Sequence, residues 1–105
     1  MRQIQHGDVL IIEVDKLPAG CHDIERQDGR IIVMAGEATG HHHTITSTGC
    51  RLMQLNGQLY LEITADQVTI THEEHKPLTI PTGIYLIGQV REHDYFAEMA
   101  RSVVD

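Results

Sequence analysis

Ile, Val and Thr, with 12, 7 and 9 copies in 105 residues, fall in short runs separated by Gly, Pro, Asn or Asp. β-Branched side chains lose rotamer freedom in a helix and pack well on a pleated surface, so this pattern favours strands. Runs at 8–14, 30–36, 58–64, 67–72 and 83–91 read as strands, with shorter candidates at 49–54 and 78–80. Within 58–64 the odd positions Leu59, Leu61 and Ile63 are apolar, and Val68 and Ile70 resume a period of two, as half-buried strands do. Leu17-Pro18-Ala19-Gly20, Gln27-Asp28-Gly29, Asn56-Gly57 and Pro81-Thr82-Gly83 read as turns, and Asn56-Gly57 as a tight hairpin. The fold expected is all-β, a small barrel or sandwich in one domain spanning 1–105. Phe96, Met99, Ala100 and Val103 repeat at helical spacing after Asp94, which predicts a short C-terminal helix.

Twenty-seven Ile, Val and Leu side chains are enough for a core, and disorder is not expected. Val9-Leu10-Ile11-Ile12 and Ile31-Ile32-Val33-Met34 are apolar on both faces. Their second face calls for cover by the terminal helix, by loops or by another subunit, so a homo-oligomer or a protein partner is expected. The net charge of −7 comes with Lys and Arg scattered singly, which argues against nucleic-acid binding. No long apolar stretch suggests a secretory signal or a membrane span. Cys21 and Cys50 form no CxxC pair, and the expected location is the cytoplasm.

Eight histidines equal the Lys and Arg count, and five of them form two clusters. In Gly40-His41-His42-His43-Thr44-Ile45, an extended chain puts His41 and His43 on the face of Ile45 and His42 with Thr44 on the other. In His72-Glu73-Glu74-His75-Lys76-Pro77, both rings meet only if the chain turns at Glu73-Glu74. Neutral imidazoles suit transition ions, so His41, His43, His72 and His75 are the candidate ligands of a divalent Zn, Ni, Mn or Fe ion. The spacing within His72–His75 is one residue short of HExxH, so a zincin protease is not indicated. If the site is catalytic, a metal-activated water attacking an ester or phosphate, with Glu73 or Glu74 as base, is the simplest chemistry. Two alternatives stand beside it: a metal-independent histidine cluster that binds an anionic ligand, and a non-catalytic oligomeric accessory protein.

Other residues carry weaker chemistry. Glu37 could bring a carboxylate beside His41, Ser47 lacks a GxSxG setting, and Cys50 suits a small buried apolar position. Tyr60, Tyr85 and Tyr95 read as core residues with hydroxyls at its edge. His6-Gly7-Asp8-Val9-Leu10-Ile11, Gly36-Glu37-Ala38-Thr39-Gly40-His41-His42-His43, and His72-Glu73-Glu74-His75-Lys76-Pro77-Leu78 followed by Pro81-Thr82-Gly83-Ile84-Tyr85 together resemble a family of small, largely uncharacterised bacterial and phage proteins. That resemblance implies no activity but makes the two histidine segments parts of one pattern. A shorter stretch, Gly40 to His43 with Tyr60-Leu61-Glu62-Ile63, resembles urease nickel chaperones and implies nickel delivery, although no ferredoxin-like pattern accompanies it.

Overall fold

A computed structural model describes residues 2–35 and 42–89. The chain runs through β1 (Gln3–His6), β2 (Val9–Val14), β3 (His22–Asp23), β4 (Ile31–Ala35), β5 (His42–Ile45), β6 (Cys50–Leu55), β7 (Gln58–His72) and β8 (His75–Gln89). The all-β expectation holds, and among the described residues there is no helix. The C-terminal helix expected from 94 onward lies outside the described residues. No helix among the described residues is long and apolar enough to cross a membrane.

The strands form one antiparallel sheet in the order β1-β2-β8-β7-β5-β4, with β6 also paired to β7 and β3 to β6. It curls into a half-barrel. Two of the separately expected strands, 58–64 and 67–72, are one strand, and so are 78–80 and 83–91 as far as Gln89. Pro81-Thr82-Gly83 is therefore not a turn. It lies within β8, opposite a bulge in β7. Ile63 pairs with Gly83 and Gln67 with Pro81, so Thr64, Ala65 and Asp66 face the single residue Thr82. A proline has no ladder N–H to lose and is tolerated at such a bulge.

The bulge accounts for its own displaced backbone groups, as buried peptide groups must. Gly49 O accepts from Thr64 N at 2.9 Å and Ala65 N at 3.0 Å. Thr82 Oγ1 donates to Ile63 O at 2.8 Å, and Tyr85 Oη donates to Pro81 O at 2.8 Å. Tyr85 is fully buried, and its hydroxyl reaches the half-buried Pro81 at the border of the core. Before the bulge β7 pairs with β6; after it, Thr71 pairs with Thr44 of β5. The bend thus hands one long strand from one neighbour to another, which curls the sheet.

The tight turns follow their residues. Asn56 and Gly57 have φ of 52° and 80°, the double positive φ of a type I′ hairpin, and join β6 to β7 as expected. The concave face is filled by Val9, Ile11, Ile31, Val33, Ile45, Leu52, Leu61, Ile63, Val68, Ile70, Ile80 and Ile87. Leu10, on the opposite parity of β2, is also buried within the chain, while Ile12 and Ile32 are half-buried.

A Cβ added to Gly49 would lie 2.3 Å from Ala65 Cβ and 3.2 Å from the Ala65 backbone. Gly49→Ala is expected to lose on the order of 1–3 kcal/mol by overpacking. Adding Ala65→Gly is expected to restore part of that loss. Urea unfolding of the single and double variants measures both effects.

Candidate functional site

Four histidines gather where the curl of the sheet brings the end of β1, the start of β5 and the β7–β8 turn together. His6 closes β1, His43 lies in β5, and His72 and His75 flank the β7–β8 turn. The chain does turn at Glu73-Glu74, as a two-residue hairpin loop with His72 and His75 paired across it. In β5 the buried positions are His43 and Ile45, so the expected alternation holds and His42 and Thr44 take the other face. Because Thr44 pairs with Thr71, the preceding residue His43 comes to His72, with ring centroids 4.4 Å apart. His72 and His75 lie 4.7 Å apart, and His6 lies 5.0 Å from His43 and 5.8 Å from His75.

Three of the four ligand candidates, His43, His72 and His75, are thus brought together. His41 lies outside the described residues, as does Glu37. The sequence reading missed His6 and Asp8 as members of the cluster. Gln3-Ile4-Gln5-His6 holds a single apolar residue and gives no period-two signal, although Gly7-Asp8 is turn chemistry and could have marked a hairpin. That hairpin forms, with His6 paired to Val9 and Gly7 at φ 62°.

Gly7 also makes room for the cluster. A Cβ there would fall 2.6 Å from His75 Nε2 and 3.1 Å from His43 Cε1. His6 and His43 are each only 2% exposed, whereas His75 is exposed and His72 half-buried, so the cluster runs from the interior to the surface.

A chain of hydrogen bonds passes through the buried pair. His6 Nε2 lies 2.9 Å from Lys76 O, His6 Nδ1 lies 3.0 Å from His43 Nδ1, and His43 Nε2 lies 2.9 Å from Asp8 Oδ1. A carbonyl only accepts, so His6 Nε2 carries a proton and donates to Lys76 O. Partial burial pushes the Asp8 carboxyl up, but hydrogen bonds from His43 and Gln89 outweigh this and hold it below the usual range. Asp8 is therefore an anion at neutral pH, and His43 Nε2 donates to it.

Burial lowers the pKa of His43, against the raising effect of Asp8, and a neighbouring His72 lowers it further. Burial lowers that of His6 too, opposed by its bond to Lys76 O and assisted by His75 and His72. The lowered proton affinities favour neutral rings with their single protons on Nε2, and the Nδ1–Nδ1 contact is a hydrogen bond only when one ring carries a second proton. In the neutral rings the Nδ1 lone pairs face each other across 3.0 Å, an arrangement that favours a cation between or beside them.

The outer histidines are engaged differently. His72 Nδ1 accepts the Glu74 N–H at 3.0 Å, so a neutral His72 carries its proton on Nε2. Glu73 Oε1 accepts the His42 N–H at 3.2 Å, tying the turn to β5. Glu73 and Glu74, the candidate bases, sit exposed on that turn. Among the described residues, no three His, Cys, Asp or Glu side chains already stand where one ion would bind them all. Cys50 is buried, and burial pushes its thiol up despite the nearby Arg26, which fits the packing role expected for it.

The residues from 5 to 90 match a family described as a domain of unknown function, DUF8820. The chain belongs to that family. The matched span includes His6, Asp8, His43, His72 and His75. No curated protein and no solved structure matches it.

Two outcomes follow from this geometry. The unfolded chain binds protons on its histidines near the ordinary value of 6.5, while folded His6 and His43 bind them only at lower pH. Stability is therefore full above about pH 6.5 and falls as the pH drops below it. Urea midpoints should decline over that range, and less steeply in His43→Gln. Gly7→Ala should lose on the order of 1–2 kcal/mol from its left-handed backbone alone, and should displace the His75 ring resonances.

Proposed function

We propose that this protein binds a transition metal through His6, His43, His72 and His75. The observation that supports this reading is the facing pair of Nδ1 lone pairs, with each ring's Nε2–H given to an acceptor behind it. Metal-ligating imidazoles commonly donate their other N–H to a carboxylate or carbonyl, which fixes the tautomer and aims the free nitrogen. Asp8 and Lys76 O supply those two partners. At a zinc–nitrogen distance near 2.0–2.1 Å, two nitrogens on a tetrahedral ion lie about 3.3 Å apart. The buried pair needs to open by only a few tenths of an ångström.

Completion of the set falls to the hairpin tip. His75 is exposed and close to both buried rings, and His72 joins once its tautomer changes and the Glu74 N–H is released. His41 is kept as a ligand candidate to be tested by substitution. Zn, Ni, Mn and Fe remain the candidate ions, with imidazole softness favouring Zn, Ni and Fe over Mn. An ion with an open position supplies a water of lowered pKa. Glu73 or Glu74, on the hairpin turn, would serve as the base for such a water in the hydrolysis of an ester or phosphate.

The 3.0 Å separation of the two Nδ1 atoms favours a second reading, in which the pair shares one proton and no metal binds. Metal titration of the untagged, chelator-treated protein separates the two. The expected result is stoichiometric uptake, abolished in His6→Gln and reduced in the exposed-site variant His75→Ala. Asp8→Asn, which removes the carboxylate behind His43, should weaken affinity by about 10–100-fold. Absence of uptake by the folded wild-type protein at neutral pH would sink the metal reading and leave the shared proton.

A further inference from the structure

On the outer face of β4, β5 and β7, the alternation that sends His43 and Ile45 inward sends His42 and Thr44 outward. Thr44 meets Thr71 directly across the β5–β7 pair, and Arg30 stands just before β4. Together with His72 and Glu73 they line a cleft of about 350 Å³. This lies within the range of small-molecule sites.

Three observations give the cleft a chemical character. Arg2 pairs with Glu13, Arg26 donates to backbone carbonyls, and Arg51 pairs with Glu62 and Asp23. Arg30 is the one described arginine whose side chain has no hydrogen bond or ion pair among the described residues, and it lines this cleft. His42 Nδ1 is buried without a hydrogen-bond partner, although its ring lines the same space. The hydroxyls of Thr44 and Thr71 touch backbone carbonyls only at 3.5 and 3.3 Å, long enough to be exchanged for a better acceptor.

We infer that this cleft binds the phosphate group of a small ligand, with the Arg30 guanidinium as its fork and the Thr44 and Thr71 hydroxyls as further donors. A planar guanidinium matches the paired oxygens of phosphate, and hydroxyls and imidazoles add hydrogen bonds without bulk. In a chain of net charge −7, Arg30 is the one Lys or Arg among the residues that line this cleft. Glu73 opposes an anion at one wall, but its Oε1 is held by the His42 N–H. The inference goes beyond the metal reading and uses different residues, His72 and Glu73 apart. His72 belongs both to the cleft and to the histidine cluster, so a phosphate held by Arg30 lies next to that cluster.

The test is titration of the chelator-treated protein with inorganic phosphate and, separately, phenyl phosphate, followed by backbone amide NMR at constant ionic strength. Because no metal is present, failure here leaves the metal reading untouched, and failure of metal uptake leaves this one untouched. The expected result is saturable shifts at Arg30, Thr44 and Thr71, weakened by about tenfold or more in Arg30→Ala. Arg30→Lys should recover part of the affinity, and Glu73→Gln should increase it. Tighter phenyl phosphate supports an ester as the ligand, and tighter inorganic phosphate supports the free ion. Shifts reproduced by chloride, or unchanged in the folded Arg30→Ala variant, would overturn the inference.

Discussion

The bend in the β7–β8 hairpin is the constraint on which this structure depends. Two strands of 15 residues each would form a long, gently twisted ribbon if their ladder ran unbroken. Three residues of β7 opposed to Thr82 break it near the middle. The carbonyl of Gly49 and the side chains of Thr82 and Tyr85 then take up the displaced peptide groups. With those groups satisfied, the half before the bulge pairs with β6 and the half after it turns toward β5. β6 and β5 thus pair with different halves of β7 within one curled sheet.

The histidine cluster is a consequence of that bend. His72 is brought to His43 by the β5–β7 register, and His75 is opposite His72 because the hairpin turns in two residues. His6 and Val9 pair beside Gln89, at the far end of β8 from His75, so it is the curl of the sheet that brings the tip of the β1–β2 hairpin to the β7–β8 turn. Gly7 keeps that tip thin enough for the His75 ring to lie against it. The same register puts Thr44 and Thr71 on the outer face, so the cluster and the cleft adjoin along shared strands, with His72 lining both. Burial does the rest. It favours neutral His6 and His43, and neutrality leaves their lone pairs available.

Much of this was legible along the chain, for identifiable reasons. Asn56-Gly57 encoded its own turn, because Asn tolerates and Gly favours a positive φ. The inward face of β5 followed from alternation, as did that of β7, where Val68 and Ile70 lead in step to His72. Pro81-Thr82-Gly83 misled, since the residues that make a good turn also make a good partner for a bulge, and only the pairing strand distinguishes them. His6 was missed for a similar reason. A four-residue edge strand with one apolar side chain has no periodic signal, and it forms because β2 offers it a ladder.

What the sequence by itself determined are the local properties: the all-β class, the hairpin at Asn56-Gly57, the inward parity of His43, and the need to turn at Glu73-Glu74. Each depends on the steric preferences of a few adjacent residues, which are present wherever those residues occur. Only the tertiary structure decided which histidines meet, that Asp8 and Lys76 O stand behind two of them, and that Arg30 comes to the threonines of β5 and β7. Those facts depend on register between segments far apart in the chain. Register is set by the whole buried face at once, through the bulge that bends it, and no short stretch of residues contains that information.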